Sequence, residues 1–147
     1  MKQTLAAILT IAVLVPCAQA RIGETAAEIA TRYGEGKKSR DRLAGAETFK
    51  YQKNGFTIEV IFSNGKSIWE IFHRDDKDIS DDEIKEILKL NADNHGWRED
   101  KKAKRWIRGD KKLEGFREPG HSDYFFLRDI KAVAAVEGAR KGGINGF

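Results

Sequence analysis

Two Asn-Gly pairs, Asn54-Gly55 and Asn64-Gly65, constrain this chain more than any other feature. Each separates runs rich in β-branched and aromatic residues. A two-residue loop with positive φ at both positions closes a β-hairpin. Residues 48–53, 56–63 and 66–74 are therefore expected to form a three-stranded antiparallel meander. Loops this short also set a register, with Tyr51 opposite Ile58 and Phe49 opposite Val60. Across the second turn the same counting puts Val60 opposite Trp69 and Ile58 opposite Ile71. All of these fall on one face, the expected core face. On the other face Glu59 would stand between Lys50 and Glu70, an unfavourable acid pair that the lysine partly relieves. Ile61, Ile68 and Phe72 share that second face. Three large apolar groups there predict a covered face or a partner-contact surface.

Helices are expected on either side of the meander. Thr25 and Glu28 form a capping box ahead of Ala26, Ile29, Ala30 and Tyr33, which recur at helical spacing, and Gly34 stands at the stop. Residues 35–47 lack periodicity and read as a mobile charged loop. A second capping box, Ser80 with Glu83, opens a helix over residues 80–93, with Ile79 and Ile84 as its hydrophobic staple. Ile84, Ile87 and Leu88 form the buried stripe, and the helix frays near 91–96. Residues 103–108, 112–117 and 123–130 read as further strands between Gly-Asp and Pro-Gly turns. Residues 131–137 are compatible with strand or helix, and Gly-rich 138–147 reads as a flexible tail. The expected fold class is α+β: an N-terminal helix, an antiparallel meander, a second helix packed on the sheet, and C-terminal strands.

Residues 1–20 carry the pattern of an export signal. Lys2 supplies the positive start, Leu5–Val15 is apolar except for Thr10, and Ala18-Gln19-Ala20 supplies the cleavage site. A lipoprotein signal through Cys17 is disfavoured by Pro16 before it. Cleavage after Ala20 takes the chain's one cysteine away and lowers the net charge from +4 to +3. The expected product is one periplasmic or secreted domain, residues 21–137, without disulfides or a cysteine-based zinc site.

Few residues suggest chemistry. His73, His95 and His121 are not paired at metal-ligand spacing. His121-Ser122-Asp123 holds the residue types of a hydrolytic triad, but as chain neighbours, which point apart. The same register places His73 on the core face opposite Phe56, and a hydrolase using His73 or His121 would need one of them in a pocket beside a carboxylate. Residues 75–86 hold seven acids against two lysines, yet fail the glycine and final glutamate positions of an EF-hand loop. Residues 98–112 hold eight cations against three acids, with Trp97 and Trp106 interleaved. Arg98, Lys101, Lys102, Lys104, Arg105, Trp106 and Arg108 thus form a candidate surface for nucleic acid or another anionic polymer. The two blocks are also candidates to lie against each other.

The run Ile22-Gly23-Glu24-Thr25, with Ile29 and Tyr33-Gly34, and the Gly146-Phe147 ending resemble small exported bacterial proteins of unassigned function. The opening also loosely resembles BamE/SmpA-type envelope domains, although the chain lacks a proline after Gly34 and places strands where their second helix would come. The resemblance implies export and a small α+β binding scaffold, and it assigns no site residue. No catalytic, cofactor-binding or metal residues are expected. The leading expectation is an exported, non-catalytic interaction module with a protein partner, ahead of a polyanion binder and a hydrolase.

Overall fold

The computed structural model describes residues 21–142. Residues 1–20, where an export signal is expected, and residues 143–147 of the expected tail lie outside the described residues. Helix α1 (Ala26–Tyr33) starts at Thr25, whose hydroxyl accepts from the Glu28 amide while the Glu28 carboxylate accepts from the Thr25 amide. The stretch read as a loop contains a two-residue strand, β1 (Lys37–Lys38), which pairs with β2 (Glu47–Lys53). β3 (Phe56–Ser63) and β4 (Lys66–His73) complete the meander, with Asn54 and Asn64 at positive φ in the two turns.

The first hairpin has the expected register, with Tyr51 opposite Ile58 and Phe49 opposite Val60. The second does not. Ile61 pairs with Trp69 and Phe62 with Ser67, so Ile68 is an extra residue on β4, a β-bulge. Past the bulge every pairing moves by one: Val60 faces Glu70, and Ile58 faces Phe72. Because strand side chains alternate, one extra residue exchanges the two faces of β4. Trp69 and Ile71 go to the face of Glu59 and Ile61, Phe72 goes to the core face, and His73 pairs with Thr57 instead of Phe56. The bulge also removes the Glu59–Glu70 clash by sending the two acids to opposite faces.

Ser80 caps α2 (Asp81–Leu90) through the expected box. Four strands follow: β5 (Trp97–Asp100), β6 (Arg105–Arg108), β7 (Leu113–Phe116) and β8 (Tyr124–Asp129). Sequence reading anticipated the last three with longer bounds and missed β5. Residues 130–142 settle as α3 (Ile130–Gly142), so 131–137 are helical and the expected tail is helix as far as 142. Asp129 Oδ1 accepts from the Ala132 amide at 2.7 Å, a side-chain cap that stops β8 and starts this helix.

All eight strands form one antiparallel sheet in the order β1-β2-β3-β4-β8-β7-β6-β5. The β2–β4 meander and the β5–β8 meander meet along the β4–β8 seam. The fold is α+β. Helices α1 and α2 cover one face, burying Ile29, Ile84, Ile87 and Leu88 against Tyr51, Ile58, Val60, Phe72, Phe125 and Leu127. On the other face α3 and the 39–46 segment bury Ile61, Ile68 and Ile71 beneath Val133 and Ala46, and Trp69, Tyr124 and Phe126 at the β4–β8 seam pack against the edge of this cluster, half-buried. Burying each large aliphatic side chain contributes roughly 1.5–3 kcal/mol.

This arrangement overturns the expected partner surface. Ile61, Ile68 and Phe72 are 0%, 5% and 5% exposed, so the chain's own helices and loop already cover them.

Candidate ligand-binding groove

What α3 covers only in part is a strip of aromatic and charged side chains across the seam, half-buried except for Ile71, which is buried. The pairings place Trp69, Ile71 and His73 of β4 beside Arg128, Phe126 and Tyr124 of β8. Phe116 of β7 continues the row beyond Phe126. Three of these rings stack in sequence, Tyr124 on Phe126 at 6.0 Å and Phe126 on Phe116 at 5.0 Å between centroids. His73 extends the ladder at the other end, 4.1 Å from Tyr124 and within 18° of parallel. Each such contact adds about 0.5–1.5 kcal/mol beyond area burial, so the ladder holds the two meanders together as well as surfacing the groove.

Ion pairs flank the ladder. Arg128 lies 5.5 Å from the Trp69 ring and 5.0 Å from Phe116, and its Nε donates to Glu114 at 2.7 Å. Arg105 pairs with the other oxygen of Glu114, which is how a carboxylate only 2% exposed is tolerated. On the β2–β3 side Glu59 pairs with Arg42 and Lys50, and the Arg42 hydrogen bond lowers its pKa.

A cleft of about 410 Å³ opens over this strip. Trp69, Ile71, Tyr124 and Phe126 floor it, while Arg42 and Leu43 come from the 39–46 segment. Glu118 and His121 come from the β7–β8 loop, and Glu137 from α3. An aromatic floor with a few polar groups from separate elements is the usual make-up of a ligand site. Sequence reading missed it because the bulge reverses the face of Trp69, and because the seam joins strands far apart in the chain.

The expected polyanion surface is divided. Arg98, Lys101, Lys102 and Lys104 are exposed on β5 and its hairpin turn. Trp106 instead turns to the helix face, edge-on to Phe125 at 5.6 Å. Arg108 is buried, donating to Asp110 and to the Asn91 carbonyl, and Arg105 is engaged with Glu114. The Arg108 hydrogen bond holds the Asp110 carboxyl well below its usual range. The acidic block turns elsewhere: Glu83 pairs with Arg74 and Lys77, and Asp81 with Arg117. Among the described residues no ion pair joins 75–86 to 98–112.

The histidine run disperses as well. His121 stands edge-on to Tyr124, Ser122 donates to Asp78 at 2.7 Å, and Asp123 lies 3.3 Å from His73 Nε2. His73 Nδ1 is 3.5 Å from Asp75, so this ring sits between two carboxylates at the edge of a neighbouring cavity. Among the described residues no hydroxyl is hydrogen-bonded to it, and no three potential ligands converge to hold a metal ion. No described helix is long and apolar enough to cross a membrane.

No family model, no curated protein and no solved structure matches the chain, so the likeness to BamE/SmpA-type domains gains no support and no family is assigned.

Proposed function

We propose that this chain is an exported, non-catalytic binding module that seats its ligand in the aromatic-floored groove across the β4–β8 seam. The observation that carries this reading is the cleft itself. Partly exposed Trp69, Tyr124 and Phe126 lie side by side on a sheet face that α3 covers only in part, with charged groups from three other segments around them. A sheet face kept only for stability would be covered or polar. The export signal read in residues 1–20 supplies the location. The test is a ligand screen followed by amide shift perturbation. Changes clustering at residues 69–73 and 124–128, and disappearing in Tyr124→Ala, support the reading; changes confined to the α1–α2 face refute it.

A second reading, polyanion binding, keeps Arg98, Lys101, Lys102 and Lys104 but loses Arg108 to the interior and has Trp106 half-buried against the helix-face core. It predicts retention on heparin that falls with salt and with Lys101→Glu plus Lys104→Glu.

A further inference from the structure

We infer that the groove takes an extended, uncharged glycan strand, an inference that rests on the binding role proposed above. Its first support is length. The central cleft shares Ile71 and Tyr124 with a cavity of about 380 Å³ over β2–β4. It shares Leu43 and Glu137 with one of about 480 Å³ beside the last turns of α3. Three adjoining cavities form a channel suited to a chain of several units, not to one small molecule.

The second support is charge. Arg42, Lys50, Arg140 and Lys141 are the cations along the channel. Glu59, Asp75, Glu118 and Glu137 balance them one for one. A polyanion or a polycation meets no net complementary field there. An uncharged ligand rich in hydroxyls meets both donors and acceptors, with Gln52 and the histidines offering both. The third support is the aromatic centre. Pyranose rings present apolar C–H patches that pack on aromatic side chains, while their hydroxyl rims reach the polar walls. An extended peptide would instead seek a sheet edge with free backbone groups, and this groove lies mid-sheet, where the backbone is already paired.

The experiment titrates the protein with chitotetraose, cellotetraose and maltotetraose, following the Trp69 indole N–H, which has no hydrogen-bond partner, and the Tyr124 amide. At least one sugar is expected to shift both signals saturably, with an affinity that holds from roughly 50 to 500 mM salt. Tyr124→Ala should weaken that binding about tenfold or more. Glu137→Ala, at an exposed position on α3, should weaken it without touching the fold. Silence with all three sugars, or binding unchanged in both variants, overturns the glycan inference. If a hexalysine or an oligothymidylate shifts the groove signals where sugars do not, the groove remains a binding site and only the ligand class is wrong. If neither they nor the sugars shift them, both readings fall.

Discussion

Glu70 should make the protein less stable as pH rises from 5 to 8. The bulge at Ile68 turns this side chain toward α1, where it is 0% exposed and neither carboxylate oxygen has a hydrogen-bond partner. Burial pushes its pKa up to about 8; Glu24 adds to the rise and Arg32 opposes it. Arg32 is itself committed to Glu24 through Nη2, leaving its Nε and Nη1 buried and unpartnered. Tyr33 and Tyr51 complete the surroundings, with pKa values raised by burial first and the Glu70 charge second for Tyr51 and in the same order for Tyr33. Above pH 4.5 the unfolded chain releases the Glu70 proton while the folded chain keeps it, so the folded state binds more protons. Stability is then fully present below about 4.5 and falls with pH until about 8, where the folded form also ionises. The slope is at most about 1.4 kcal/mol per pH unit, or somewhat under 3 kcal/mol between pH 5 and 7, and relaxation around Arg32 reduces it to roughly 2. Glu70→Gln keeps the shape and removes the proton equilibrium. Urea unfolding followed by tryptophan fluorescence should show similar stabilities at pH 5, and a variant about 2 kcal/mol more stable than the wild type at pH 7. Parallel pH profiles would refute the reasoning. A variant less stable at every pH would mean that Glu70 is ionised and held by Arg32.

Gly115→Ala should destabilise by about 1–3 kcal/mol in thermal or urea unfolding, because the new Cβ would lie 2.7 Å from Phe125 Cζ and 3.2 Å from Leu88 Cδ2. Ser80→Ala should cost about 1 kcal/mol, seen as a lower urea midpoint at unchanged slope, because it removes the acceptor for the Glu83 amide. Trp106→Ala should cost about 1.5–3 kcal/mol in the same assay, because the half-buried ring packs edge-on to Phe125. Lys104→Glu, by contrast, should change stability by less than about 0.5 kcal/mol.

Local chemistry was legible wherever it is short-range. Both capping boxes, both Asn-Gly turns and the register of the first hairpin follow from a few adjacent residues, and all appear in the structure. The second hairpin failed because Lys66-Ser67-Ile68-Trp69 carries no glycine or other sign that a residue will be extruded. Alternation alone then puts Glu70 beside Glu59 on the second face, and only the extruded residue turns it to the core face. β5 was hidden because Trp97-Arg98-Glu99-Asp100 lacks β-branched residues. The Asp129 cap was a readable signal for α3 and was passed over beneath the Gly- and Ala-rich run that follows. The groove needed two facts that no local pattern holds: which way β4 faces after the bulge, and that β8 lies against it.

That last pairing bears on how the protein assembles. Each meander closes through short turns, whereas Trp69 finds Arg128 and His73 finds Tyr124 only after the whole intervening chain is looped out. Loop closure of that kind carries the larger entropic cost and sets the slower step of folding. The groove straddles this seam, taking Trp69 and Ile71 from one side and Tyr124 and Phe126 from the other, so its floor forms only when the two meanders meet. A nascent chain therefore completes this cleft only after β8 has docked on β4 and α3 has brought Glu137 to its rim.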